Sequence, residues 1–266
     1  MRNGSTFWAI VLIGAGILLL LNNLGLLSAL RIDTWGLIWP LFLIALGVRL
    51  ISRVRAKPGD IEVEAAAIPL DGATSAAIEL SHGAGELRLA AGAGMTDLVA
   101  GEFGGGLRHT ATRRGDRLEV ELKMRVEPVT VLNWSPGGYD WDVRLNPDIP
   151  LSLECETGAS RSTLDLHGLR VTELKLETGA SSTDVVLPAA AGYTRVKIEA
   201  GAARVDVRVP GGVAARIRTS AGLASIAVDS TRFPGEDKFF QSPDYESAEN
   251  KVDIEVETGL GTVSIS

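Results

Sequence analysis

A repetitive all-β domain, resembling a β-solenoid and following a two-helix membrane hairpin, is the fold predicted by this 266-residue sequence. Three observations carry the prediction. A seven-residue phrase recurs at nearly constant spacing, its apolar residues alternate with charged ones, and the first fifth of the chain holds two long apolar runs.

The phrase occurs at Leu153–Ala159, Leu174–Ala180, Val196–Ala202, Ile217–Leu223 and Ile254–Leu260, aligned on Gly158, Gly179, Gly201, Gly222 and Gly259. The first four glycines are 21, 22 and 21 residues apart. That period is too short for two full helices and suits two short strands with their turns. Counting back from each glycine, the fifth and third positions are apolar apart from Thr219 (Leu153 and Cys155, Leu174 and Leu176, Val196 and Ile198). The fourth and second are mostly charged (Glu154 and Glu156, Lys175 and Glu177, Lys197 and Glu199). Such alternation is the signature of a strand with one buried face.

A second alternating run follows each corner, as in Val205/Val207 and Val263/Ile265, and breakers such as Val209-Pro210-Gly211-Gly212 close the unit. Ile78–Leu89, with Gly83 at its corner, fits the same template. Leu98–Ala100, Leu118–Leu122 and Trp141–Leu145 are looser strand signals.

The domain division is 1–57 for the membrane hairpin and 58–266 for the β repeat. The spans are expected at about 6–27 and 35–52, because crossing a bilayer takes roughly 17–25 apolar residues. The first run has only Arg2 before it and no A-x-A-like cleavage site after it, which favours a retained span over a signal peptide. Trp8, Trp35 and Trp39 near the run ends suit the interface, and Arg49, Arg53, Arg55 and Lys57 follow the second run. By the positive-inside tendency both ends, and with them the β domain, are expected in the cytoplasm. Residues 1–57 carry six cations and one carboxylate, so the remainder of this −7 chain is −12, which argues against a nucleic-acid partner.

Gly14–Leu27 followed by Trp35–Gly47 resembles the transmembrane hairpin of LiaI/LiaF-type envelope-stress proteins. Trp141–Leu151 leading into the Glu-Thr-Gly-Ala phrases, with Tyr245–Ile254 and Gly259–Ile265, is similar to the toast-rack domain that the family shares with adhesin-like bacterial proteins. The resemblance implies a bacterial membrane regulator that tunes a sensor kinase or another envelope-stress component. A surface adhesin with its β domain outside the cell is the alternative, and a homo-oligomer is open.

No enzyme, cofactor or metal centre is expected. Cys155 is the sole cysteine and occupies an apolar column, so a core thiol is expected rather than a nucleophile. His82, His109 and His167 lack H-x-x-H spacing. The stacked glutamates Glu156, Glu177 and Glu199 lack the Asp/Gly-rich loop of a calcium β-roll and are expected to form a solvated edge offset by Lys175, Lys197 and Arg204. A membrane-anchored hydrolase would need a convergent titratable set, and the sequence offers none.

Two irregular stretches are candidate partner surfaces. The gap from Gly222 to Gly259 is 37 residues, with an insertion at 229–250 holding Phe233, Phe239, Phe240 and Tyr245. It reads either as an end cap or as a docking loop. The stretch 131–141 concentrates Trp134, Tyr139 and Trp141, lining a partner surface or packing over the coil.

Overall fold

The computed structural model describes residues 63–125 and 139–266. The expected membrane hairpin, with Trp8, Trp35, Trp39, Arg49, Arg53, Arg55 and Lys57, lies outside the described residues, as does Trp134.

Fifteen strands form one continuous sheet: β1 Val63–Pro69, β2 Ser75–Ala91, β3 Asp97–Gly104, β4 Leu107–Arg114, β5 Arg117–Met124, β6 Trp141–Leu145, β7 Pro150–Asp165, β8 Arg170–Thr178, β9 Ser182–Val186, β10 Tyr193–Arg208, β11 Ala214–Ala221, β12 Ser225–Val228, β13 Gly235–Glu236, β14 Phe239–Gln241 and β15 Lys251–Ile265. No helix occurs among the described residues, in keeping with the all-β expectation.

The sheet folds into two legs that share four long strands. Before the glycine corners the ladder runs β4-β5-β2-β7-β8-β10-β15-β11-β14-β13. After the corners it runs β1-β3-β6-β2-β7-β9-β10-β15-β12. The long strands β2, β7, β10 and β15 belong to both legs, and the coil-to-coil pairings are parallel, as a solenoid requires.

The expected phase holds. Ile78, Leu80, Leu153, Cys155, Leu174, Leu176, Val196, Ile198, Ile254 and Val256 are all buried on the first leg. On the second leg Leu87, Leu89, Leu164, Val185, Val205, Val207, Val263 and Ile265 are buried. At about 1.5–3 kcal/mol for each large aliphatic side chain removed from water, these columns dominate the favourable side of folding.

Spatial order departs from chain order. Strand β15, later in sequence than β11 and β12, lies between them and β10: Glu199 faces Glu257 and Glu257 faces Ser220. Its length explains the placement, since it covers β10 from Tyr193 to Val207 on one side and both β11 and β12 on the other. Gly261 permits the approach, because a Cβ there would stand 1.9 Å from the Ala203 carbonyl oxygen. The shorter coil β11–β12 is left at the end of the stack, where the insertion covers β11: β14 pairs antiparallel with Arg216–Arg218, and β13 pairs with β14.

The opposite end is closed by the β4–β5 hairpin on the first leg and by β1, β3 and β6 on the second. Gly104–Gly106 forms the turn between β3 and β4, as its composition suggests.

A glutamate-walled groove along the glycine corners

The corner glycines stack in the order Gly83, Gly158, Gly179, Gly201, Gly259, Gly222. A Cβ on Gly158 would stand 2.4 Å from the Gly83 carbonyl oxygen. On Gly179, Gly201 and Gly222 it would come within 3.1–3.2 Å of the neighbouring corner's oxygen, and on Gly259 within 3.4 Å. Glycine recurs there because each corner backbone rests against the next.

Alongside this column runs a groove of about 1060 Å³ lined by the corner residues from Ser81 and Lys123 at one end to Ser220 and Gly222 at the other. Six coils at about 4.8 Å make it roughly 24 Å long. One wall is a register-matched ladder of Ser81, Glu156, Glu177, Glu199, Glu257 and Ser220. The expected adjacency of Glu156, Glu177 and Glu199 is therefore observed, and Glu257 extends it to four.

Like charges in register are tolerated here because water and lysine offset them. Lys175 Nζ lies 2.7 Å from Glu154 and 2.5 Å from Glu177, and Lys197 Nζ lies 2.6 Å from Glu199. Glu156 accepts a hydrogen bond from Ser81 Oγ at 3.1 Å. Hydrogen bonding to Lys197, then its charge, lowers the Glu199 pKa, while Lys175 and Lys197 are raised by hydrogen bonds to their glutamates. Arg204, expected to share in this offset, instead pairs with Asp206 at 2.8 Å on the second leg, because it lies beyond the corner.

The floor's buried side is polar. His82 stands in register with Thr157, and its Nε2 lies 2.9 Å from the Tyr139 carbonyl, to which it donates. Burial lowers the His82 pKa, so the ring is neutral near pH 7. Its ring centroid is 5.4 Å from that of Trp141.

The three histidines do not converge: His82 is buried in β2, His109 is exposed on β4 and His167 is exposed in the turn after β7. Among the described residues no group of three His, Cys, Asp or Glu side chains is placed to hold a metal ion. Cys155 is buried between Leu80 and Leu176, as its column implies. Burial first, then the charge of Glu154, pushes its thiol up to about 12.

The aromatic candidates separate sharply. Trp141, Tyr139, Phe233 and Tyr245 are buried, which removes them as free partner surface. Trp141 packs edge-on to Phe103 at 4.9 Å and donates Nε1–H to the Gly104 carbonyl at 3.1 Å, so its indole closes the end of the core. Phe233 lies beneath the guanidinium of Arg232, which binds the Val209 carbonyl at 2.8 Å. Phe239 is 45% exposed, and Phe240 is half-buried against the core.

Sequence reasoning missed two features. Leu223 and Leu260, immediately after the last two corner glycines in spatial order, are exposed where the other coils carry alanine. Tyr193, Tyr245 and Arg216 converge on Asp253 across three strands and the insertion. The Leu/Ala contrast was visible in the aligned phrases, whereas the Asp253 cluster had no signal in the linear order.

A corner-stacked β-coil is the class of protein these features define. The family model for the N-terminal domain of toast_rack, DUF2154, matches residues 57–208, more than half of the chain, and the chain belongs to that family. The LiaF transmembrane domain model matches residues 7–70. The chain thus has a LiaF-type transmembrane plus toast-rack architecture and associates with a membrane. A crystal structure of a protein from Clostridium sporogenes ATCC 15579, described as a candidate cell adhesion protein, is similar in fold. Its TM-score is 0.68 at 20% identity, covering 77% of this chain and 98% of that one. No curated protein matches the sequence.

Proposed function

We propose that this protein is a non-enzymatic, multi-pass membrane regulator or scaffold in cell-envelope stress signalling, with its β domain in the cytoplasm contacting a membrane partner such as a sensor kinase. The reading rests on one observation: a LiaF-type transmembrane segment precedes a toast-rack domain in the same chain. Trp8, Trp35 and Trp39 anchor the hairpin at the interfaces, and Arg49, Arg53, Arg55 and Lys57 hold its end inside. The partner meets the capped end of the coil, where exposed Phe239 and half-buried Phe240 stand beside the end of the glutamate groove. The competing reading, an adhesin with the β domain outside, is favoured by the likeness in fold to the clostridial protein.

A paired reporter fusion after Ser266, combined with photo-crosslinking from position 239 in living cells, tests both. A bright cytoplasmic fluorescent protein, inactive alkaline phosphatase and a crosslink to a membrane protein support the regulator. Strong phosphatase activity with a dark fluorescent protein supports the adhesin.

A further inference from the structure

We propose that the β4–β5 hairpin is a docking face for anionic lipid headgroups, holding the toast-rack domain on the membrane that anchors it. The inference rests on the membrane association established above and on neither reading of sidedness.

Charge is the first argument. From Leu107 to Arg125 the chain carries Arg108, Arg113, Arg114, Arg117, Lys123 and Arg125 against three carboxylates. The other described residues carry 14 cations and 26 carboxylates. The hairpin is a basic pole on an acidic body, and such a dipole turns its basic end toward a negative surface.

Register is the second. Arg108 stands opposite Lys123 and Arg114 opposite Arg117 on the same face of the hairpin, and like charges directly across a ladder are unfavourable. Arg114 finds Glu119 at 3.2 Å, and Lys123 finds Glu121 and, at 3.7 Å, Glu79. Among the described residues Arg108 and Arg117 have no carboxylate partner within ion-pair distance. Every β4 residue after Leu107 is exposed, and β4 pairs with β5 alone, so nothing described covers this face. Arg113 has a separate task, donating to the carbonyls of Asp71, Gly72 and Gly115, and is not part of the surface.

Connectivity selects the occupant. The end of β4 that holds Leu107 is tied to β1: the Leu107 N–H donates to Glu64 Oε2 at 3.1 Å, and Arg125 bonds Glu64 at 3.2 Å. Strand β1 begins six residues after Lys57, a reach of at most about 21 Å, and the transmembrane family match runs to residue 70. Headgroups are therefore at high effective concentration near the hairpin, which a nucleic acid or an acidic protein in solution would not be.

The full-length protein carrying Thr112→Cys on β4, spin-labelled, tests this in nanodiscs of phosphatidylcholine alone or with one quarter phosphatidylglycerol. Native Cys155 is buried and stays unlabelled. Accessibility of the label to a water-soluble relaxant should fall at least threefold in the anionic discs only and recover at 0.5 M salt. A label at Ser225→Cys on β12 should not change. Arg108, Arg114 and Arg117 replaced together by Gln should abolish the protection, and replacement by Lys should retain it. Equal accessibility in both kinds of disc, or protection that survives the Gln substitutions, overturns the proposal.

Discussion

Tyr245 donates its phenolic hydrogen to Asp253 Oδ1 at 2.5 Å, while Tyr193 donates to the other carboxylate oxygen at 2.8 Å. One aspartate of β15 thereby ties the insertion to β10. Arg216 stacks on the Tyr245 ring at 4.1 Å and bonds Glu246 at 2.6 Å. Burial and the bond to Asp253 raise the Tyr245 pKa. This is how an irregular segment becomes the cover for the last coil.

Tyr245→Phe keeps the ring and deletes the hydrogen bond to a charged acceptor, a change of about 1–3 kcal/mol. The melting temperature should fall by several degrees, and Tyr193→Phe, whose ring is exposed, should cost less.

Phe239 and Phe240 should part ways. Replacing Phe240 by Ser removes a side chain packed on the core and should lower the melting temperature. Phe239→Ser should leave stability within about 0.5 kcal/mol, as surface changes usually do. If Phe239 meets a partner, its crosslinks vanish while the melt is unchanged.

Cys155→Val should be tolerated, and Cys155→Asp should cost several kcal/mol because an unpaired carboxylate cannot be buried. Burial, then the charge of Glu154, pushes the folded thiol up to about 12 from an ordinary cysteine value of 9.0. Its contribution to stability is whole below pH 9 and is lost as pH rises toward 12, since the unfolded chain releases the proton first. The valine variant should lose that part of the alkaline slope. Rapid maleimide labelling of the native protein would contradict the buried column.

The corner stack can be probed by adding one methyl group at a time. Gly158→Ala places a Cβ 2.4 Å from the Gly83 carbonyl and should destabilise by about 1–3 kcal/mol, whereas Gly259→Ala meets its neighbour at an ordinary 3.4 Å and should cost less.

Strand order is testable by disulfides. Glu199→Cys with Glu257→Cys joins adjacent register positions and should oxidise readily. Glu199→Cys with Ser220→Cys spans two ladder spacings, about 9.6 Å, beyond the Cα separation a disulfide allows, and should not.

The strand phase, the glycine corners and the burial of Cys155 were legible in the amino-acid order because they depend on residues within seven positions of one another. Alternation dictates which side of a strand faces water, and a recurrent glycine marks where a Cβ has no room. The acidic character of the β domain was equally plain from composition.

Which coil neighbours which was decided only in three dimensions. Coil order depends on whether a late strand matches the length and shape of an exposed ladder edge, and β15 fits between β10 and β11 because Gly261 lets it pass close to Ala203. The same holds for the aromatic residues. The sequence left both Trp141 and Phe239 between packing and a partner surface, and the structure separates them: one closes a core end and the other lies on a capping hairpin open to water. Local pattern determines the face a residue occupies, and long-range packing determines whether that face is covered.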